Sequence, residues 1–197
     1  MTGETYVGSV ADDIEILRRL PFDLAAQLAI RNGYVALRGG LHVRGACLAP
    51  EWHSLRYAWE GPHALHLLFP EVRPSDIPIA EDCFGDQFLI RDGEVIQLAG
   101  ETGDIKPLGL NWEQFLLRVQ EDAVEFLALR SFERYLEQGG SLEPEQSLSV
   151  YPPFVAAEDN ARTFRPVGRV GRISFLADFA EQIRTVPDGQ RVGIVVK

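Results

Sequence analysis

Residues 77–104, IPIAEDCFGDQFLIRDGEVIQLAGETGD, decide the fold of this chain. Within them, Asp92-Gly93 stands between two runs of strand-forming residues. This dipeptide favours a two-residue hairpin turn, because both central positions of such a turn need a positive φ. The sequence therefore predicts that Gln87–Arg91 pairs in antiparallel register with Glu94–Leu98. Apolar cross-strand pairs then fall on both faces, which indicates a hairpin inside a sheet that is covered on each side.

Helical patterns flank the hairpin. Two short helices are expected upstream of it, from apolar residues at helical spacing. Downstream, Asn111 and Gln114 form a capping box and predict a long helix that runs to about Gln138. The second half of that helix is apolar on more than one side, so either the C-terminal segment or another chain covers it; we expect the amphipathic helix of the C-terminal segment to dock there. That segment contains an amphipathic helix predicted over residues 173–183, and residues 192–196 favour a closing strand.

The length and composition are typical of a globular domain. A chain of 197 residues is expected to form one domain, or one domain with a substantial appendage. Its content of 46% hydrophobic residues is enough for a packed core. The N-terminus lacks the basic and apolar regions of a leader peptide, and no apolar run is long enough to cross a membrane. Two cysteines are too few for a disulfide framework. These observations predict a cytoplasmic protein that does not enter a membrane.

The net charge of −10 is unevenly distributed. Residues 76–104 hold eight acids and one Arg, whereas residues 151–197 hold five acids and seven bases. Because an acidic surface repels nucleic acid and attracts basic surfaces, we predict an acidic sheet rim that binds a basic protein partner, with Trp52, Tyr57 and Trp59 as apolar anchors. The rim acids are Glu81, Asp82, Asp86, Asp92, Glu94, Glu101 and Asp104. Solvated turns also favour Asp, Glu and Gly, so the same acids have an explanation that involves no partner.

A series of short motifs runs through this part of the chain. An Ile-Pro-Ile-Ala strand leads into the acidic turn Glu81-Asp82 and Gly85-Asp86, and a Phe-Leu-Ile strand, the Gly-centred hairpin, the Glu101-Thr102-Gly103 turn and a Trp-x-x-Phe-Leu helix start follow. Upstream lie Leu20-Pro21 and the strand Leu41-His42-Val43. Over roughly residues 10–130, this order resembles the SUKH superfamily, which includes the yeast cell-wall-synthesis regulators and many bacterial toxin-immunity proteins.

The resemblance implies an α+β fold with a central antiparallel or mixed sheet and flanking helices. Residues 1–140 are expected to form this SUKH-like domain, and residues 141–197, outside the resemblance, are expected to form a helix-containing extension docked on it. The family implies a non-enzymatic, protein-binding role without a cofactor. In a bacterium the partner would be a toxin domain, and a regulatory role without a toxin stays open.

Catalytic alternatives lie in residues 53–86. Two carboxylates at a suitable separation can act as general acid and base, and Glu81, Asp82 and Asp86 supply them. A small hydrolase with a carboxylate or histidine site is therefore the alternative function.

A zinc site is a weaker alternative. The chain has no Cys-x-x-Cys or His-Glu-x-x-His pair to anchor one, so we expect no metal. The candidate ligands are Cys47, His53, His63, His66 and Cys83.

Four arginines cluster near the C-terminus, around Pro166 and a Gly168-x-x-Gly171 loop. A GxxG loop with basic residues is similar to nucleic-acid backbone clamps. In an acidic protein, pairing with the main domain or solvation is the better explanation, so no nucleic acid partner is expected. The four are Arg162, Arg165, Arg169 and Arg172.

Overall fold

A seven-stranded antiparallel sheet forms the centre of the computed structural model, which describes residues 3–156, 162–187 and 189. The strands follow one another across the sheet in chain order, so each pairs with its sequence neighbour. Together with the flanking helices, this makes the chain an α+β protein, as the sequence predicts. The strands are β1 Tyr6–Val7, β2 Tyr34–Ala36, β3 Leu41–Val43, β4 Ile77–Asp82, β5 Gln87–Arg91, β6 Glu94–Leu98 and β7 Ile105–Pro107.

The predicted hairpin is confirmed in its bounds and its register. Strands β5 and β6 pair antiparallel, with Leu89 opposite Ile96 and Arg91 opposite Glu94. The turn residues have the positive φ that the Asp-Gly dipeptide was expected to supply, 52° at Asp92 and 88° at Gly93. Local sequence therefore determines this element.

Helices pack on both sides of the sheet. Their bounds in the described part of the chain are α1 Ile14–Arg19, α2 Phe22–Ile30, α3 Leu55–Trp59, α4 Leu65–Leu68, α5 Trp112–Phe126, α6 Arg130–Glu137 and α7 Arg169–Ile183. Short 3-10 helices occupy Leu37–Gly39 and Glu51–His53. On one face of the sheet, Phe88 packs against Phe115 of α5, with ring centroids 4.8 Å apart. On the other face, Leu89 and Ile96 pack with Leu176 of α7. The hairpin is thus covered on each side, as its apolar pairs predict.

The long helix begins as predicted and then breaks. Asn111 and Gln114 form the capping box, but α5 ends at Phe126 and α6 begins at Arg130. The expectation of one continuous helix to Gln138 is therefore wrong. In a continuous helix, Leu127 and Leu129 would project about 200° apart, so the core could not take both. The break, with φ of 54° at Ala128, lets both leucines be buried.

The C-terminal segment supplies a two-stranded sheet and α7. Strands β8 Gln146–Tyr151 and β9 Thr163–Gly168 pair antiparallel and contact α6, where the Tyr135 and Phe164 rings lie 6.3 Å apart. This segment therefore contacts the second half of the long helix through its strands. The expectation that its amphipathic helix docks there is wrong, because Leu176, Ala177 and Ala180 of α7 pack on the opposite face of the main sheet. The strand expected at residues 192–196 lies outside the described residues, and no described helix has the length and apolar character to cross a membrane.

Candidate functional site

The predicted rim acids lie at two ends of the sheet. Asp92 in the β5–β6 turn and Glu94 at the start of β6 are both exposed. The β4–β5 turn and the β6–β7 turn lie at the other end, where Asp104 is exposed, Glu101 is half-buried and the remaining three acids are largely buried. The prediction of one continuous, solvated rim is therefore wrong. The three are Glu81, Asp82 and Asp86, and the C-terminal segment folds over their end of the sheet.

Glu81 is the centre of a buried polar cluster. Its Oε2 accepts hydrogen bonds from Arg44 at 2.9 Å and from Gln87 at 3.0 Å. Its Oε1 lies 2.9 Å from His42 Nδ1 and 3.3 Å from the Arg169 guanidinium. The two arginines hold the pKa of Glu81 well below its usual range, against the opposing effect of burial. The predicted rim acid is thus an internal counterion that ties β3, β4, β5 and α7 together.

Two histidines extend this cluster. His42 Nε2 lies 3.0 Å from His53 Nδ1, and His53 Nε2 donates to the carbonyl of Asn32 at 2.8 Å. The contacts from Glu81 to His42, from His42 to His53 and from His53 to Asn32 would each need one N–H proton to be a hydrogen bond. Two neutral imidazole rings carry only two such protons. Burial lowers the pKa of His42 to about 3, and both arginines act in the same direction. Near neutral pH both rings are therefore neutral, and His42 donates to either Glu81 or His53.

A small cavity of about 10 Å³ touches Glu81, Arg44 and Arg169 and reaches the half-buried Trp52 and Tyr57. This volume is about that of one water molecule. A substrate would therefore need the surrounding side chains to move. The cluster supports the hydrolase alternative only weakly, because the oxygens of Glu81 are already occupied by the protein's own donors.

Asp82 and Asp86 organise the β4–β5 turn. Asp82 Oδ1 accepts from the backbone amides of Phe84, Gly85 and Asp86 at 2.8–3.0 Å. Asp86 in turn accepts from the Gly100 amide at 2.9 Å and from Gln97 at 2.8 Å. Burial raises the pKa of both carboxyls, and their proximity raises that of Asp82 further. Both carboxylates therefore have a structural role, since they accept hydrogen bonds from the backbone amides of the turns.

The aromatic residues predicted as anchors are not prominent on the surface. Trp59 is buried, and its indole donates to the Pro74 carbonyl at 3.0 Å, so its prediction as an exposed anchor is wrong. Trp52 is half-buried and packs edge-on against Tyr6 at 4.9 Å. Tyr57, also half-buried, stacks on His63 at 5.4 Å.

The described side chains form neither a metal site nor a reactive cysteine. Within the described residues, no three of the His, Cys, Asp and Glu side chains are grouped as metal ligands. Both cysteines are buried and free. Burial raises the pKa of Cys47 to about 12, and burial with the neighbouring Asp82 raises that of Cys83 well above its ordinary value. Neither is therefore an activated nucleophile.

Three members of this cluster, Arg44, His42 and Gln87, are not among the residues predicted from the sequence. A signal was present, because His42 and Arg44 interrupt the apolar run from Leu41 to Ala46. A charged or polar residue in a strand that is buried on both faces needs a partner. The sequence contains polar residues that need a partner, but only the tertiary structure shows that this partner is Glu81.

An exposed apolar surface lies elsewhere, on α2. Leu24 and Leu28 of this helix point into the core, whereas Phe22 is 85% exposed and Ile30 is 89% exposed. Ala26 lies between them on the same side, and it also lines a groove of about 500 Å³. The groove runs between α2, the β5–β6 turn at Gly93 and the start of α5 at Asn111, Trp112 and Glu113.

Comparisons with known proteins establish the fold and go no further. The chain is similar to the protein in the crystal structure of Atu4351 from Agrobacterium tumefaciens, with 16% sequence identity and a TM-score of 0.54. The similarity covers 87% of this chain and 81% of that one. No protein-family model matches the chain, and no curated protein does. At this identity the likeness shows a shared fold alone.

Proposed function

We propose that this protein is a non-enzymatic binding module that docks a basic protein partner on the surface around α2. This α2 surface consists of Phe22, Ala26, Ile30 and the adjacent groove with its acidic rim. The observation that carries the proposal is the near-complete exposure of Phe22 and Ile30. Large apolar side chains grouped beside a groove, with polar residues around them, are typical of protein interaction sites.

The charge around the groove favours a basic partner. Asp23 and Glu113 line it, and Asp92 and Glu94 flank Gly93 at its other end. All four side chains are exposed. Two bases offset part of this charge: Arg73 lies 3.2 Å from Asp92, and Arg91 is the cross-strand partner of Glu94. An apolar centre with an acidic rim suits a partner segment that presents an apolar side chain flanked by Lys or Arg.

The SUKH resemblance of the sequence adds a class of partner to this proposal. A nuclease toxin presents a basic substrate-binding surface, and an immunity protein acts by covering such a surface. A regulatory partner with a basic segment would meet the same surface. Two of the seven acids named from sequence, Asp92 and Glu94, belong to the proposed interface, and Phe22 replaces the buried Trp59 as its anchor.

The test begins with affinity purification from lysate of the source cells under mild salt, followed by binding kinetics with the purified partner. Phe22→Ser should weaken the complex at least about tenfold, as loss of a buried aromatic anchor does. Leu117→Ser is the matched control, because Leu117 is an apolar residue 51% exposed on α5 and is not part of the α2 surface. It should leave the affinity unchanged.

Charge variants test the second part of the proposal. Replacing Asp92 by Asn and Glu94 by Gln should slow association and reduce its dependence on salt, because rim charges act mainly on the rate of encounter. Equal affinities of the wild-type and Phe22→Ser proteins would contradict the proposed surface. Failure of the intact chain to retain any protein partner would contradict the proposed function itself.

A further inference from the structure

A second groove lies where the loop between β2 and β3 meets α5 and α6. Its volume is about 470 Å³, within the range of about 300–1,000 Å³ that is usual for small-molecule sites. Two of the residues that line it, Leu129 and Phe132, are buried. We call it the α6 groove and define it by its apolar floor, Leu129, Phe132 and Leu136, and by the three charged residues that line it, Arg38, Glu133 and Glu137.

The charges beside the apolar floor are of both signs. Glu133 and Glu137 are four residues apart on α6, so they form an acidic stripe next to the apolar stripe of Phe132 and Leu136. Arg38 belongs to the loop between β2 and β3. All three charged side chains are exposed, and none has a hydrogen bond or an ion pair with a described residue. Glu133 acts through space on Arg130. The groove therefore offers one cation and two anions to a ligand.

The backbone around the groove has an unusual conformation. Four residues other than glycine have a positive φ in the described part of the chain, and one of them, Asp92, belongs to the hairpin turn that requires it. Leu37 and Arg38, with φ of 55° and 58°, line the α6 groove. The fourth residue, Ala128, directly precedes Leu129 of the floor. Strained backbone of this kind is concentrated at sites that hold a ligand in a fixed geometry.

Three contacts keep the loop in this conformation. The Arg38 amide donates to the Gly3 carbonyl at 2.8 Å, and the buried Arg169 guanidinium donates to the Gly39 carbonyl at 3.3 Å. Gly40 lies so close to the floor that an added Cβ would be 3.1 Å from Leu129 Cδ1. The backbone that carries Arg38 is therefore fixed relative to the floor of the groove.

We propose that the α6 groove binds a small zwitterion with an apolar side chain, either a free amino acid or a short peptide. Its apolar side chain would lie on the floor, its carboxylate would pair with Arg38, and its ammonium would pair with Glu133 and Glu137. A purely apolar molecule would use none of these charges, and a singly charged one would leave the charge of its own sign unmatched. The groove shares no residue with the α2 surface, so this proposal does not depend on the function proposed there.

The first experiment measures binding of L-phenylalanine and of the dipeptide leucyl-phenylalanine to the full chain by calorimetry. Saturable binding of at least one of them is expected. The tighter of the two identifies whether the site is adapted to a free amino acid or to a peptide. If neither zwitterion binds saturably, the proposal is wrong.

Analogues that lack one charge test the role of the charged residues. Phenethylamine has no carboxylate, and 3-phenylpropanoate has no ammonium. Each should bind at least about tenfold more weakly than L-phenylalanine, because each loses one set of charged hydrogen bonds. If either analogue binds as tightly as L-phenylalanine, the groove recognises little more than the ring, and the zwitterion is not its ligand.

Arg38→Asn tests the pairing with the carboxylate. Asparagine tolerates a positive φ, so the loop should keep its conformation and the melting temperature should not fall. We expect at least about tenfold weaker binding of L-phenylalanine and binding of phenethylamine within about twofold of the wild type, because phenethylamine has no group for Arg38. Arg134→Gln is the matched control, since it removes the same charge from an exposed position of α6 and should change neither affinity. An equal loss for both ligands in Arg38→Asn would contradict the role of Arg38.

Replacing Glu133 and Glu137 together by Gln tests the pairing with the ammonium. This variant should bind L-phenylalanine at least about tenfold more weakly and should bind 3-phenylpropanoate no more weakly than the wild type. The matched control is the variant with Asp92→Asn and Glu94→Gln, which removes two acidic charges at the β5–β6 hairpin. If both double variants lose the same affinity for L-phenylalanine, the ligand responds only to net charge and the assigned groove is wrong.

Discussion

Glu81→Gln tests the buried cluster most directly. The substitution keeps the volume of the side chain, so no cavity forms, but it removes the negative charge that contacts Arg44 and Arg169. Both arginines are at most 2% exposed. The carboxylate contacts four side chains, whereas an amide offers one oxygen to Arg44 and Gln87 and turns its N–H donors toward His42 and toward the Arg169 guanidinium, which also donates.

The expected loss of stability follows from this mismatch. Removing one partner of a buried ion pair costs about 3–5 kcal/mol, because the remaining charge stays buried without compensation. This is a large part of the roughly 5–15 kcal/mol by which a domain is stable. Urea unfolding at pH 7 measures the difference. Glu94→Gln is the control, since Glu94 is exposed, and it should stay within about 0.5 kcal/mol of the wild type.

The pH dependence of Glu81 gives an independent check. Its pKa is lowered in the folded protein from an ordinary value of 4.5, so its contribution is present above that pH and is lost as the pH falls below it. The Glu81→Gln protein should therefore lose less stability than the wild type on acidification below pH 4.5. A loss of less than about 1 kcal/mol at pH 7 would refute the assignment of Glu81 as the counterion of the cluster.

Two further predictions concern the same core. The pKa of His42 is lowered from 6.5 to about 3 in the folded protein. As the pH falls, the His42 ring is therefore protonated in the unfolded chain before it is protonated in the folded one. The wild type should consequently lose stability as the pH falls below 6.5. On acidification, the unfolding equilibrium constant of the wild type should rise more steeply than that of the His42→Gln variant, by up to about tenfold per pH unit. Identical slopes of this constant against pH in the two proteins would show that His42 does not contribute. Leu176→Ala should cost about 2–5 kcal/mol in urea unfolding because this side chain fills the core between α7 and the sheet, whereas Leu117→Ala, at a half-exposed position, should cost almost nothing. Equal costs at the two positions would contradict the docking of α7 described above.

The hairpin and the helix cap show how far local sequence reaches. The Asp92-Gly93 turn sets its register through backbone conformation alone, because positive φ at both positions matches the twist of the strands. The Asn111 capping box likewise needs only its own four residues. Both features depend on neighbours within a few positions, so both could be predicted.

The break between α5 and α6 had no comparable signal. Leu127 to Arg130 are good helix formers, and nothing in their order favours Ala128 as the residue of positive φ. The break is decided by the core, which takes both Leu127 and Leu129. The site of the break is set by packing between elements that are distant in the chain, so it cannot be read from residues 126–130 alone.

The acids illustrate the same limit at the candidate site. Asp92 and Asp86 both stand in turns beside a glycine, and in the sequence they are equivalent. One turn faces solvent, whereas the C-terminal segment covers the other, with Arg169 against Glu81 and the Leu148 amide against the Cys83 carbonyl. Burial is a property of what folds over a residue, and here the covering residues come from more than 60 positions further along the chain.

The sequence by itself determined the central hairpin and the helix cap, and its resemblance to a known family implied the α+β class. The hairpin and the cap follow from backbone conformation and from hydrogen bonds between near neighbours, which act locally. Only the tertiary structure decided which acids are exposed, where α7 docks, and which side chains meet in the cluster around Glu81. Those outcomes depend on contacts between segments far apart in the chain, and the amphipathic pattern of a segment shows that it must be covered without showing by what.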